Sequence, residues 1–425
     1  MNYKFLLDLL LHDKYILLLS TIVSIIICFY AAHLYNPLIS SPIDNLQFYA
    51  KDFTFTISCL SSTLACLILL PLSIRKRYLL AAVCIATELI VIIYNWHQYS
   101  LIWHLIYIGP FSYLICLITA LTAAICYKNS CSQKCIICLE VLGLSMAMPT
   151  FYSIHNFSVT DPTIYDLMLM KADNIFNSQP SFIISGLLRS NNILLVFLKI
   201  VYVYLPLWMM LPQIIVFKAE TYGEDKSKMC SPGIPAITYI AVAVFGTICY
   251  HYYPAIGPMQ LFGSIFPYGI YPDITADNIH VIIDPVYNNA PRNCMPSLHL
   301  TWILCALFSI YGYSTLCKTI WQFLSVCTLG SAFCVGGHWA NDFLVALPFT
   351  AFCLSLTWHR IKDVKRYVAV GCWGLITFGM MLVLKHFVVN IAAYINLYWA
   401  LAVTVDIAAL LHIKYMIKIF NAKTD

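Results

Sequence analysis

Two histidines and an aspartate stand out in this chain, because each lies where an apolar run begins or ends, and ionisable groups near membrane depth tend to mark function. His338 and Asp342 are four residues apart in Gly336-Gly337-His338-Trp339-Ala340-Asn341-Asp342. On a helical turn they share one face, so the carboxylate can accept a hydrogen bond from one ring nitrogen. That bond fixes the tautomer and leaves the other nitrogen free to attack phosphorus, forming a covalent phosphohistidine. His299 closes the stretch Pro291-Arg292-Asn293-Cys294-Met295-Pro296-Ser297-Leu298-His299 and supplies a second imidazole. It suits protonation of a departing alkoxide and later deprotonation of an acceptor. Arg292, Asn293 and Ser297, with the backbone amides of a helix opening at Ser297, are expected to hold the anionic oxygens.

Each residue has a plainer reading. A lone interfacial histidine is usually a hydrogen-bonded belt residue, Arg292 alone is a solvated loop cation, and Asp342 alone is a helix-end charge. His97, His104, His155, His251, His280 and His359 lack such company and keep that plainer reading. The joint occurrence of two histidines and an aspartate, at this spacing and on one face, raises a site above coincidence.

Pro296-Ser297-Leu298-His299, followed by His338 and Asp342, resembles the second and third signatures of the type-2 phosphatidic acid phosphatase superfamily. Its members are membrane enzymes with a six-helix core that cleave or transfer lipid phosphate without a metal. The resemblance implies His338 as nucleophile, Asp342 as its partner, His299 as acid/base, and no metal or cofactor. It covers roughly 135–359, with the strong motifs within 291–348. The third signature usually carries Ser-Arg ahead of its histidine, whereas this chain reads Ser331-Ala332. The first signature's Lys and Arg-Pro pair is replaced by Tyr253-Pro254-Ala255-Ile256-Gly257-Pro258. Phosphate must then be held by other cations, with Arg292 leading and Arg189, Lys171 and His280 in reserve. These departures look like the inositol phosphorylceramide synthase-like branch, which includes enzymes that pass a phospho-headgroup to a lipid alcohol. The implied partners are membrane lipids: a lipid phosphate or phospho-headgroup donor and a hydroxyl acceptor.

The elements that would position these residues are apolar throughout. The 425 residues are 61% hydrophobic and 10% charged, and soluble domains carry about 25% charged residues. Lipid must therefore be the solvent. A net charge of +5, spread over separated short segments, offers no basic stripe for nucleic acid. Of the 18 cysteines most lie inside apolar runs, as Cys59, Cys66, Cys84, Cys305 and Cys353 do, and read as small hydrophobes. Cys135 and Cys138, with Cys131 nearby, have metal-ligand spacing but no matching second pair.

A crossing helix needs about 20 mostly apolar residues. That ruler predicts an all-α integral membrane protein with about twelve crossings, near 14–34, 53–73, 78–97, 101–126, 135–154, 192–217, 234–256, 297–315, 319–338, 343–359, 367–386 and 388–412. The segments 155–191 and 257–296 are too polar and proline-interrupted to span. Residues 1–13 form a short amphipathic stretch leading into a retained anchor. Three regions follow: accessory helices over 1–134, a six-helix phosphatase-like core over 135–359, and further helices over 360–425.

Basic residues favour the cytoplasmic side. With the amino terminus inside, inward segments collect the clusters Arg75 to Arg77, Arg360 to Arg366 and Lys414 to Lys423, while outward ones keep only Lys51, Lys171, Arg189, Arg292 and Lys385. Both termini are thus expected inside, and both long segments, with the histidines, on the periplasmic, extracellular or lumenal face. Lys199, inside an apolar run, is expected to snorkel to the outer interface, with contact to substrate phosphate the sharper option. The rival expectation from another class is a non-catalytic lipid transporter or lipid-phosphate-binding membrane protein with degenerate motifs.

Overall fold

The computed structural model describes residues 53–94, 110–126, 138, 163–176, 178–222, 233–268, 282–283, 292–311, 313–358, 364–388, 390 and 392–422. Three helices come first, α1 (Phe53–Leu69), α2 (Ile74–Tyr94) and α3 (Pro110–Cys126). Then follow β1 (Thr163–Ile164), α4 (Asp166–Ala172), α5 (Pro180–Arg189), α6 (Asn192–Val203), α7 (Leu205–Tyr222), α8 (Gly233–Tyr252), α9 (Pro258–Phe262) and β2 (Ile282–Ile283). The last five helices are α10 (Leu298–Ser309), α11 (Thr315–Val335), α12 (Ala340–Thr357), α13 (Val364–His386) and α14 (Ile395–Ala422).

The chain divides into two compact units, one holding 1–154, 206–226 and 231–240, the other 155–205, 227–230 and 241–425. In the first, α1 to α3 pack around Cys59, Cys66, Cys84, Cys116 and Cys138, all unbridged, with Leu70, Tyr113 and Ala120. These thiols behave as small hydrophobes, the role expected of them. Cys131 and Cys135 lie outside the described residues. The second unit carries every described member of the expected site, and α13 and α14 pack on α12 within it.

The fold is mostly helical, and several long apolar helices mark a membrane protein. Among the described residues three helices are long and apolar enough to cross a bilayer, Ala340–Thr357, Val364–His386 and Ile395–Ile419. A fourth arises if α5 and α6, bent by 115° at their break, count as one crossing. Twelve crossings are not shown by these residues, and the expected span 14–34 and, apart from Cys138, the expected span 135–154 lie outside the described residues.

Local breaks explain part of the difference. The expected span 192–217 is divided at Tyr204 between α6 and α7. Asn191 caps α6, its side-chain oxygen accepting from the amides of Ile193 and Leu194 at 3.0 and 3.1 Å, which fixes the helix start where that expected span begins. The segment 155–191, expected as an outer loop, contains α4 and α5, and its β1 pairs antiparallel with β2 in the other long segment, Thr163 opposite Ile283. That two-residue ladder is the one sheet among the described residues, beside an isolated bridge between Ile175 and Ser178.

The turn ahead of His338 is set by glycine. Ser314 caps the start of α11 by accepting from the Cys317 amide at 3.1 Å, and Gly336 ends it in the left-handed region at φ 70°. A Cβ on Gly336 would stand 2.6 Å from Phe266 and 2.7 Å from Met259. Gly257, at φ 85°, brings its backbone so close to Gly337 that a Cβ would meet the Gly337 carbonyl oxygen at 2.5 Å. Both positions require glycine.

Candidate active site

The turn between α11 and α12 delivers His338, and the first turn of α10 delivers His299. His338 Nε2 lies 3.2 Å from His299 Nδ1, with the rings edge to face at a centroid distance of 5.3 Å. His338 is buried and His299 half-buried, so the His299 ring is the more open of the two. The imidazoles touch directly, and a phosphoryl group can enter between them only if they part.

His338 Nδ1 faces the Cys294 carbonyl oxygen at 2.9 Å and Asp342 Oδ2 at 3.3 Å. Both partners are acceptors, so Nδ1 carries the proton and Nε2 presents its lone pair to His299. The carboxylate expected to fix this tautomer is present, but the backbone carbonyl makes the shorter bond. Asp342 Oδ2 also accepts from the Trp339 amide at 2.7 Å and from Cys294 Sγ at 2.6 Å. The aspartate is thus first an N-terminal fastening of α12 and second a partner of the histidine. Burial and the neighbouring Asp342 charge push the Cys294 thiol well above its usual range, so it stays protonated and donates to the carboxylate.

Cys294, His338 and Asp342 are the one group among the described residues whose ligand atoms, all within 4.8 Å of one another, could hold a metal ion. The thiol proton on Asp342 and the Nδ1 proton on the Cys294 carbonyl point at the lone pairs that an ion would have to use.

The remaining expected residues divide. Arg292 and Ser297 are buried and Asn293 half-buried, all in the strand-like approach to α10. Ser297 Oγ is buried and makes no hydrogen bond among the described residues. The Ser297 backbone amide, expected to face an anion, instead donates to the Asp342 carbonyl at 3.2 Å. Arg189 is engaged as a strut rather than poised for phosphate: Nε donates to the Cys334 carbonyl at 2.7 Å, one terminal nitrogen donates to the Phe266 carbonyl at 3.0 Å, and its guanidinium lies over the Phe266 ring. Lys171 is half-buried at the end of α4, and His280 lies outside the described residues.

Two buried acids in the supposed outer loop hold the site together. Asp166, the first residue of α4, accepts from the Trp339 indole at 2.9 Å and from the amides of Ile256 and Gly257 at 2.9 and 2.8 Å. Asp173 accepts from the amides of Ala340 and Asn341 at 2.9 and 3.0 Å, from the Asn341 side chain at 2.5 Å and from the Ser181 hydroxyl. Burial raises each carboxyl from its ordinary 3.8 to about 6, with the accepted hydrogen bonds opposing the shift. Tyr202, near the end of α6, lies face to face with the His299 ring at 4.2 Å and 17°.

No family model, curated protein or solved structure matches the chain. What the fold and the site define is a class: a helical membrane protein in which two histidines meet over a buried carboxylate.

Proposed function

We propose that this protein is a metal-independent phosphotransferase or phosphatase of membrane lipids, resembling the type-2 phosphatidic acid phosphatase superfamily and its inositol phosphorylceramide synthase-like branch. The single observation that carries this reading is the 3.2 Å contact between His338 Nε2 and His299 Nδ1, with His338 Nδ1 held by acceptors on its other side. An unprotonated Nε2 attacks phosphorus of a phosphate ester, the phosphorus–oxygen bond to the leaving alcohol breaks, and His299 gives that alkoxide a proton. The neutral His299 then removes a proton from an incoming hydroxyl, whose oxygen takes the phosphoryl group from His338. Asp342 and the Cys294 carbonyl support the positive ring that forms on His338. Arg292, Asn293 and the buried, unpaired Ser297 hydroxyl are assigned to the phosphate oxygens.

With all twelve crossings and both termini on the cytoplasmic side, the site faces the periplasm, cell exterior or lumen, and water or a lipid alcohol is the acceptor. Transfer is the favoured outcome, because the departures from the phosphatase signatures match the transferring branch. The bent pair α5–α6 is the observation that favours the rival reading of a non-catalytic lipid transporter, since broken helices are used for binding in transporters.

One experiment separates these. Full-length protein in sealed vesicles of known orientation is given lipid phosphates and phosphodiester lipids on the outer face, and free phosphate and headgroup-bearing lipid products are measured separately. Product is expected from outer-face donor, and a transferred headgroup when a lipid alcohol is added. Binding without turnover for every donor and acceptor would assign the rival.

A further inference from the structure

The bent pair α5–α6 carries a cation that the chemistry above leaves unused. Lys199 is exposed on α6, and no hydrogen bond or ion pair with a described residue engages its ammonium. Two other cations of this unit are committed elsewhere. Arg189 is tied to the carbonyls of Cys334 and Phe266, and Lys385 Nζ donates to the Tyr252 carbonyl at 2.6 Å while lying over two tyrosine rings.

Lys199 is linked to the two-histidine centre through Tyr202. It precedes Tyr202 by three residues, so the two share a flank of α6, and Tyr202 is the ring stacked on His299. The inner face of the same helix packs Leu198 and Val201 against Cys334, four residues ahead of His338.

Around this ammonium the outer surface is apolar. Ile193, Val196 and Ile200 of α6 are exposed, as are Ile183 and Leu187 of α5. A cation at the edge of an apolar surface is complementary to an amphiphile with an anionic head and hydrocarbon tails. A free anion would gain nothing from the isoleucines.

We propose that the face of α5–α6 around Lys199 is the docking site of an anionic phospholipid, with Lys199 Nζ paired to a phosphate oxygen, acyl chains along the exposed apolar residues, and Tyr202 at the inner edge next to His299. This rests on the reading of His338 and His299 as the reacting pair.

The test uses full-length protein in detergent micelles with fluorescent phosphatidate as probe, on a His338→Ala background so that the probe is not consumed. Lys199→Gln is expected to weaken phosphatidate binding roughly tenfold, the scale of one lost charge-assisted hydrogen bond, while Lys199→Arg stays within about twofold. Fluorescent phosphatidylcholine is expected to bind both equally. With His338 restored, Lys199→Gln should raise KM by about the same factor and leave kcat nearly unchanged. Equal phosphatidate binding by the parent and Lys199→Gln overturns the proposal, as does absence of phosphatidate binding or displacement of the probe by an equal concentration of inorganic phosphate. If binding depends on Lys199 but the wild type turns over no donor, docking stands and the phosphotransfer reading fails. If turnover proceeds and Lys199→Gln matches the wild type, docking alone fails.

Discussion

At His338 the Nδ1 proton has two acceptors, and the nearer is a backbone carbonyl that no substitution at position 294 removes. This makes the site less dependent on its aspartate than a centre in which a carboxylate alone sets the tautomer, where the corresponding amide substitution costs about ten-thousandfold in kcat. Asp342→Asn should therefore lower kcat by only about a hundredfold, through loss of charge stabilisation on the imidazolium. A loss of the full ten-thousandfold, read by steady-state kinetics, would show that the carboxylate and not the Cys294 carbonyl fixes the ring. The pairing of His338 with Asp342 was legible in the sequence because four-residue spacing is a local signal. The Cys294 carbonyl was not, because a backbone oxygen has no residue signature, and neither was Tyr202, whose ring meets His299 through tertiary packing alone.

At the scale of elements, the start of α12 is fastened by two acids that arrive from far away in the chain, Asp166 bonding Trp339 across 173 residues and Asp173 bonding Ala340 across 167. A protonated carboxyl loses acceptor capacity toward the amides it clamps, so activity should fall as pH drops through about 6. Stability should move the other way. Because burial raises these pKa values from 3.8 to about 6, the folded chain binds more protons than the unfolded one between those limits, and stability contributed by these groups grows as pH falls across that window. Parallel pH profiles of turnover and thermal midpoint check this, and Asp173→Asn should flatten part of both. Long-range acid-to-amide clamps leave no periodic trace, which is why 155–191 reads as a polar loop. The helix starts inside it did have signals, namely Pro180 at the first turn of α5 and Asn191 ahead of the apolar run of α6.

For the molecule as a whole, composition alone identified lipid as the solvent, and the described helices agree, with three or four long and apolar enough to cross a bilayer. The number of crossings was less legible, because a hydropathy window sums apolar character over a break such as Tyr204, where α6 gives way to α7, and reports one span. The site does not depend on that number, since its two histidines are set by turns at helix ends and by fastenings from α4 and the loop after it, not by how many helices surround them. The step on which the proposed chemistry turns is covalent phosphorylation of His338. Purified full-length protein mixed with a donor lipid labelled in its phosphate, quenched in alkali within one turnover and digested, should yield acid-labile label on the peptide containing His338, and none in His338→Ala. Unlabelled His338 during active turnover, or full activity in His338→Ala, would contradict it.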